Sequence, residues 1–204
     1  MEKLVVARSR NNDENRNVFC ATRYGNVMAS RGSVIPLFIS QVQSGQPITI
    51  TDPDMTRFIM SLDEAVDLVL FAFDHAENGD LFVRKAPGVK MRVLAEAILR
   101  LMGKEDHPIK IIGTRHGEKK AETLLSREEM ITSQDLGDYF RVPPDNRDLN
   151  YERFFSSGEL GLNEAQDYNS ENSGLLNVEQ TMEIVGTLGF VRSAIETGKM
   201  ESSS

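Results

Sequence analysis

At 204 residues, 40% hydrophobic and 26% charged, the chain can bury a core over most of its length, as one domain or slightly more. Its formal charge of -8 is the wrong sign for a non-specific nucleic-acid binder, so an anionic ligand has to be gripped by a few local Arg and Lys residues. The lone cysteine, Cys20, excludes an intrachain disulfide and fits a cytoplasmic setting, while Met1 to Leu4 shows no signal peptide and the apolar runs break too soon for membrane insertion.

Met1 to Arg10 reads as the tail of a helix, followed by the polar run Asn11 to Asn17. No start signal precedes it, so the expectation is a chain that opens in the middle of a fold. Val18 to Thr22 reads as a short strand and Arg23 to Ser33 as a loop. Ser33 is placed to cap a helix from Val34 to Ser44, which Gly45 ends. Pro47 to Thr51 alternates like a strand. Ser61 and Glu64 form a capping-box signature for a helix whose apolar stripe is Leu62, Ala65, Val66, Val69, Ala72 and Phe73. Asn78-Gly79 stops it, and Asp80 to Val83 reads as a strand. Met91, Leu94, Ala95, Ile98, Leu99 and Met102 outline another amphipathic helix, closed by Gly103, with a strand at Ile109 to Ile112.

Strands and helices thus alternate from Val18 to Ile112, which predicts an α/β layered fold. Beyond Ser126 the pattern weakens into loops around Pro143-Pro144 and from Ser156 to Ser173. A last helix follows at about Val178 to Leu188. The expected division is 1–33, the last part of a Rossmann-like domain; 34–126, a ligand-binding α/β region; 127–190, a C-terminal extension; and 191–204, a disordered tail.

Four clusters carry possible chemistry. Arg23-Tyr24-Gly25-Asn26 with Arg31-Gly32-Ser33 follows a strand, where open α/β sheets place their ligands. Met55 to Phe58 contains Arg57. Arg115 to Lys119 follows the Ile109 strand and contains Glu118. Asp167-Tyr168-Asn169-Ser170 lies in the polar C-terminal region and reads most simply as a turn. Arginines on three separate loops suit phosphates, because a guanidinium donates two parallel hydrogen bonds. A carboxylate such as Glu118 suits a ribose diol. Together they suit a nucleoside diphosphate. His75, His107 and His116 lack metal-ligand spacing, so no metal site is expected. Cys20, inside a predicted strand, reads as a small buried hydrophobe.

The segments RYGNVMASRGSVIPLF, ITITDPDMTRFIMSLDEAV and IIGTRHGEKKAETLLS resemble the C-terminal half of polysaccharide-biosynthesis dehydratases. These are extended short-chain dehydrogenases/reductases acting on UDP-N-acetylglucosamine. RHGEK and DYNS favour the capsule-type, inverting 4,6-dehydratase/5-epimerase branch. The resemblance implies a partial Rossmann-like sheet, lacking its first strands and Gly-rich turn, with a small mixed α/β substrate-binding subdomain. It implies NADP as cofactor, a UDP-sugar as ligand and usually a homo-oligomer.

By the same resemblance, Tyr24 lies near the nicotinamide, Asn26 and Arg57 hold the substrate diphosphate, Arg115 adds a second phosphate-binding arginine, and Glu118 binds the uridine ribose. Ile35-Pro36 and Thr49 to Thr51 flank the nucleotide. The family's GxxGxxG cofactor turn does not occur in the sequence. Its active-site lysine with a Tyr or Met four residues earlier is also unmatched, so Lys3 is given no catalytic role and no catalytic residue is assigned. The expectation is a substrate-binding portion, inactive alone, of a UDP-N-acetylglucosamine 4,6-dehydratase. The alternatives are a UDP-sugar 4-epimerase relative and a non-catalytic sugar-nucleotide-binding or interaction module.

Overall fold

A computed structural model describes residues 2–10, 17–28, 30, 32–114, 116–144 and 165–201. The fold is α/β with mixed sheets, and its contacts divide into two compact units that interleave along the chain. The first comprises Met1–Tyr24, Leu62–Lys85 and Thr123–Asn169; the second Gly25–Ser61, Ala86–Glu122 and Ser170–Ser204.

In the first unit a four-stranded sheet has the order β1-β4-β9-β8. Strand β1 (Ala21–Arg23) runs parallel to β4 (Leu81–Arg84), with Thr22 opposite Phe82. Parallel neighbours need a crossover, and helix α3 (Leu62–His75) lies in that connection. Strands β9 (Tyr139–Val142) and β8 (Gln134–Asp135) extend the sheet antiparallel. This mixed edge was invisible in the sequence pattern.

Helix α3 forms where expected but faces differently. Ala65, Leu68 and Ala72 are buried, with Leu68 and Ala72 packing on the fully buried Phe82, whereas Leu62, Val66, Val69 and Phe73 of the predicted stripe are exposed, Phe73 at 78%. The segment LDEAVDLVLFAF is apolar on almost every side, so periodicity alone does not choose the inner face. Phe71 stacks on Tyr139 at 4.0–4.1 Å spacing shared with its other neighbour, His75. Cys20 packs against this cluster, half-buried. Burial, and then the Asp80 carboxylate, push its thiol above the ordinary range and disfavour a reactive thiolate.

Two charged knots brace this unit. Asp80 is fully buried and accepts hydrogen bonds from the Glu77 amide and from Arg141 Nε, each at 2.8 Å. Arg23 is fully engaged. It donates to both carboxylate oxygens of Glu2 (2.9 and 2.6 Å), both of Glu129 (2.8 and 2.9 Å) and the Leu124 carbonyl (2.6 Å). Glu2 begins α1 (Glu2–Arg10). Glu129 closes the capping box of α5 (Arg127–Thr132), whose N-cap is Ser126. Strand β7 (Thr123–Leu125) pairs antiparallel with β10 (Tyr168–Asn169), so the middle of the DYNS segment is a short strand and the expected turn starts at Ser170.

The second unit buries the larger core. Helices α2 (Val34–Gln43) and α4 (Met91–Leu101) contribute Ile35, Phe38, Leu94 and Ile98, all nearly inaccessible. Each such side chain is worth roughly 1.5–3 kcal/mol relative to exposure. Strand β2 (Ile48–Ile50) runs parallel to β6 (Ile109–Ile111), and β3 (Thr56–Phe58) antiparallel to β5 (Gly88–Lys90). Helix α6 (Val178–Val185), capped by Asn177 and Gln180, packs on α4. The predicted single helix to Leu188 divides at Gly186, and α7 (Gly189–Glu201) follows. Within this helix Val191 and Ala194 are buried in the core. Among the described residues, no helix is long and apolar enough to cross a membrane.

Candidate functional site

The second unit contains a pocket of about 340 Å³, within the size range of small-molecule sites. Its floor is apolar, formed by Phe38, Ile50, Phe58, Val89 and Leu94. Its polar groups come from separate elements: Asn26 before α2, Ser33 at the start of α2, Thr49 and Thr51 around the end of β2, Arg57 on β3, and Glu118 after β6.

Arg57 sits in the middle of the three-residue strand β3. Thr56 and Phe58 are 2% and 1% exposed and Arg57 lies on the other face of β3, yet Phe58 and Arg57 both line the pocket, Phe58 at its floor. The Arg57 side chain is 16% exposed, and its Nη1 donates to the Thr56 carbonyl at 2.7 Å. Nη2 lies 2.8 Å from Met55 Sδ and 3.9 Å from Glu118 Oε1, and Nε lies 3.6 Å from Glu122 Oε1. Thr51 Oγ1 donates to Glu118 Oε1 at 3.2 Å, which orients that carboxylate. The distances to both glutamates exceed those of a tight bidentate pair, and Nη1 also lies 3.5 Å from the Lys120 carbonyl.

The structure thus gathers Asn26, Arg57 and Glu118 on one pocket, together with Ile35 and the Thr49 to Thr51 segment; Pro36 does not line it. Tyr24 belongs to the first unit, at the end of parallel strand β1, and is 46% exposed. Arg115 and Arg31 lie outside the described residues. Arg23, a member of the first sequence cluster, is occupied by Glu2 and Glu129. Those ion pairs hold both carboxyls below their ordinary values: for Glu2 the Arg23 hydrogen bond dominates, and for Glu129 burial opposes but Arg23 and Ser126 prevail.

Ser33 sits at the N-cap of α2 but makes no capping bond, contrary to expectation, and its hydroxyl is buried without a partner. An N-cap side chain accepts from the second or third helical amide, and Pro36 at the third has none. Sequence reasoning missed Glu122, and although Met55 and Ser170 stood in two of its clusters, it gave neither a role. Glu122 follows Glu118 by four residues, yet without a helix that spacing gave no reason to bring both to one guanidinium. Among the described residues, no group of three or more His, Cys, Asp and Glu side chains could hold a metal ion.

A family model described as "Polysaccharide biosynthesis protein" matches residues 1–144, and one for that family's C-terminal region matches residues 145–192. The chain belongs to the polysaccharide biosynthesis protein family. Its members fall within the extended short-chain dehydrogenase/reductase group of nucleotide-sugar epimerases and dehydratases. A protein named UDP-glucose 4-epimerase from Rickettsia canadensis is 50% identical over 196 residues, covering 96% of this chain and 57% of the relative. The same name, identity and coverage recur in Rickettsia felis. The chain thus spans a little over half the length of these curated relatives. Among solved structures, Pen from Bacillus thuringiensis matches with a TM-score of 0.76 and 31% identity, covering 92% of this chain and 54% of that one. A UDP-N-acetylglucosamine 4-epimerase from Methanobrevibacter ruminantium, solved with UDP-N-acetylmuramic acid, matches in fold with a TM-score of 0.51 and 17% identity over 90% of this chain and 50% of that one.

Proposed function

We propose that this polysaccharide-biosynthesis chain is the sugar-nucleotide-holding portion of a UDP-sugar 4-epimerase. The observation that carries this reading is one pocket with an apolar floor and a wall of Arg57, Glu118, Thr51 and Asn26. The 50% identity to proteins named UDP-glucose 4-epimerase supports the epimerase over the dehydratase expected from sequence motifs. In this reading Arg57, Asn26 and Arg115 bind the diphosphate. Glu118, oriented by Thr51, accepts from the ribose hydroxyls, and the base lies against the apolar floor.

NADP is the cofactor the family implies. Of the residues proposed here only Tyr24 would face it, and the sequence contains no GxxGxxG turn to cradle its pyrophosphate. These residues do not make a dinucleotide seat, so no hydride step is derived from them. Their contribution is to bind and orient the sugar nucleotide, which is the entropic part of catalysis.

Substrate and product of a 4-epimerase differ only in the configuration at C4, so its grip must accept both. UDP-glucose and UDP-galactose titrated calorimetrically should bind this chain within about tenfold of each other, a difference near 1.4 kcal/mol. Binding of UDP-N-acetylglucosamine with neither hexose bound would return the assignment to the dehydratase. Failure of all three to bind a folded chain would remove the sugar-nucleotide reading.

A further inference from the structure

We propose that Ser170 is a positioning residue that fixes Arg57 and the loop bearing Glu118 in register, making the segment after Asn169 a working part of the pocket wall. This rests on the sugar-nucleotide reading above.

Ser170 is fully buried and Thr56 is 2% exposed. Their hydroxyl oxygens lie 2.7 Å apart. Ser170 Oγ also accepts from the Glu122 amide at 3.0 Å, and the Ser170 amide donates to the Glu122 carbonyl at 2.9 Å. The Thr56 amide donates to the Lys120 carbonyl at 2.9 Å. One serine therefore closes a ring joining β3, the Glu118–Glu122 loop and the C-terminal segment.

The ring holds the Thr56 carbonyl and both carboxylates beside the Arg57 guanidinium, and Met55 Sδ completes its surroundings. Arg57 follows Thr56 directly and donates to its carbonyl. The two carboxylates that flank the guanidinium, Glu118 and Glu122, ride on the clamped loop. Because β3 alternates, the Thr56 hydroxyl is fastened on one face while Arg57 is presented on the other. The backbone approach is also close: a Cβ added at Gly88 on β5 would meet the Ser170 carbonyl oxygen at 1.9 Å. The residue that holds the wall lies within 145–192, the stretch matched by the family's C-terminal model.

The test compares Ser170→Ala and Thr56→Val with Thr56→Ser, which keeps a hydroxyl. The Arg57 Nε–H resonance is followed by nitrogen-15 NMR without ligand, and UDP affinity is measured by calorimetry. Ser170→Ala and Thr56→Val should shift the resonance, and Thr56→Ser should restore it. UDP binding should weaken about tenfold, the scale of one or two lost buried hydrogen bonds. In an Arg57→Ala background Ser170→Ala should cause a smaller loss than in wild type, because only its effect through the Glu118 loop remains. An unchanged resonance in folded Ser170→Ala, or losses that add, would overturn the proposal. If Ser170→Ala does not fold, the Thr56→Val and Thr56→Ser pair decides it by the same resonance. A shifted resonance in a chain that never binds UDP would sink the ligand reading and leave the positioning role standing.

Discussion

Gly88→Ala should loosen the pocket wall without touching any group that faces ligand. Gly88 lies outside the left-handed backbone region, so alanine costs nothing in its own backbone conformation. The difficulty is space, since the new Cβ would meet Ser170 O at 1.9 Å, Ser170 C at 2.9 Å and Leu175 Cδ2 at 3.2 Å. Backbone contacts of the first kind cannot be relieved by a rotamer change, so the 170–176 segment has to move away. It is held by Gly88 N donating to Gly174 O (3.0 Å) and Leu176 N donating to Gly88 O (2.9 Å). Losing both costs about 1–3 kcal/mol, and overpacking adds about 1–3 kcal/mol. A total near 3–4 kcal/mol lowers the melting midpoint of a chain this size by roughly 6–15 °C. Circular dichroism melts against wild type provide the assay. Gly189→Ala is the control, because nothing lies within 4 Å of a Cβ there and its backbone is unstrained. A Gly88→Ala melt within about 2 °C of wild type would refute the reasoning, since a shift that small is under roughly 1 kcal/mol.

Acid should release the Arg23 clamp. Glu2 and Glu129 have carboxyls held below their ordinary value of 4.5, so their contribution is complete above that pH and disappears as pH falls through the depressed values. Urea midpoints of wild type and Glu129→Gln should accordingly differ at pH 7 and converge only once the pH has fallen through the depressed carboxyl values; a gap that persists in strong acid would contradict the clamp. Phe82→Ala removes a fully buried ring from the core of the first unit and should cost about 3–5 kcal/mol, read by denaturant unfolding. A loss below about 1 kcal/mol would show that Phe82 is not packed as described. Ser126→Ala breaks the α5 capping box and should cost about 1 kcal/mol in the same assay, whereas no change would mean that the box is not formed.

The sequence disclosed the long helices and four short strands, β1, β2, β4 and β6, and missed the rest for a physical reason. Helix α4 was legible because Met91, Leu94, Ala95, Ile98 and Leu99 repeat at helical spacing and all five are buried. Strands β3 and β5 have three residues each, too few for alternation to stand out, yet they present Arg57. At α3 the helix was visible but its orientation was not, because apolar residues surround it. The site was legible through motifs, which brought Asn26, Arg57 and Glu118 to one pocket. Arg23 looked equivalent to Arg57 in sequence, but its partners stand 21 and 106 residues away, beyond the reach of any local pattern. Ser170 stood in the DYNS cluster, but its role was hidden likewise, since its hydroxyl contact is 114 residues from it in sequence.

The most direct test of the sugar-nucleotide grip is a calorimetric titration of UDP into wild type, Arg57→Ala and Glu118→Ala, each confirmed folded. Wild type should bind, Arg57→Ala should lose about tenfold to a hundredfold through the charge-assisted phosphate bonds, and Glu118→Ala should lose less, through the ribose alone. Equal affinity in all three, or no binding by folded wild type, would contradict the assignment of this pocket to a nucleoside diphosphate.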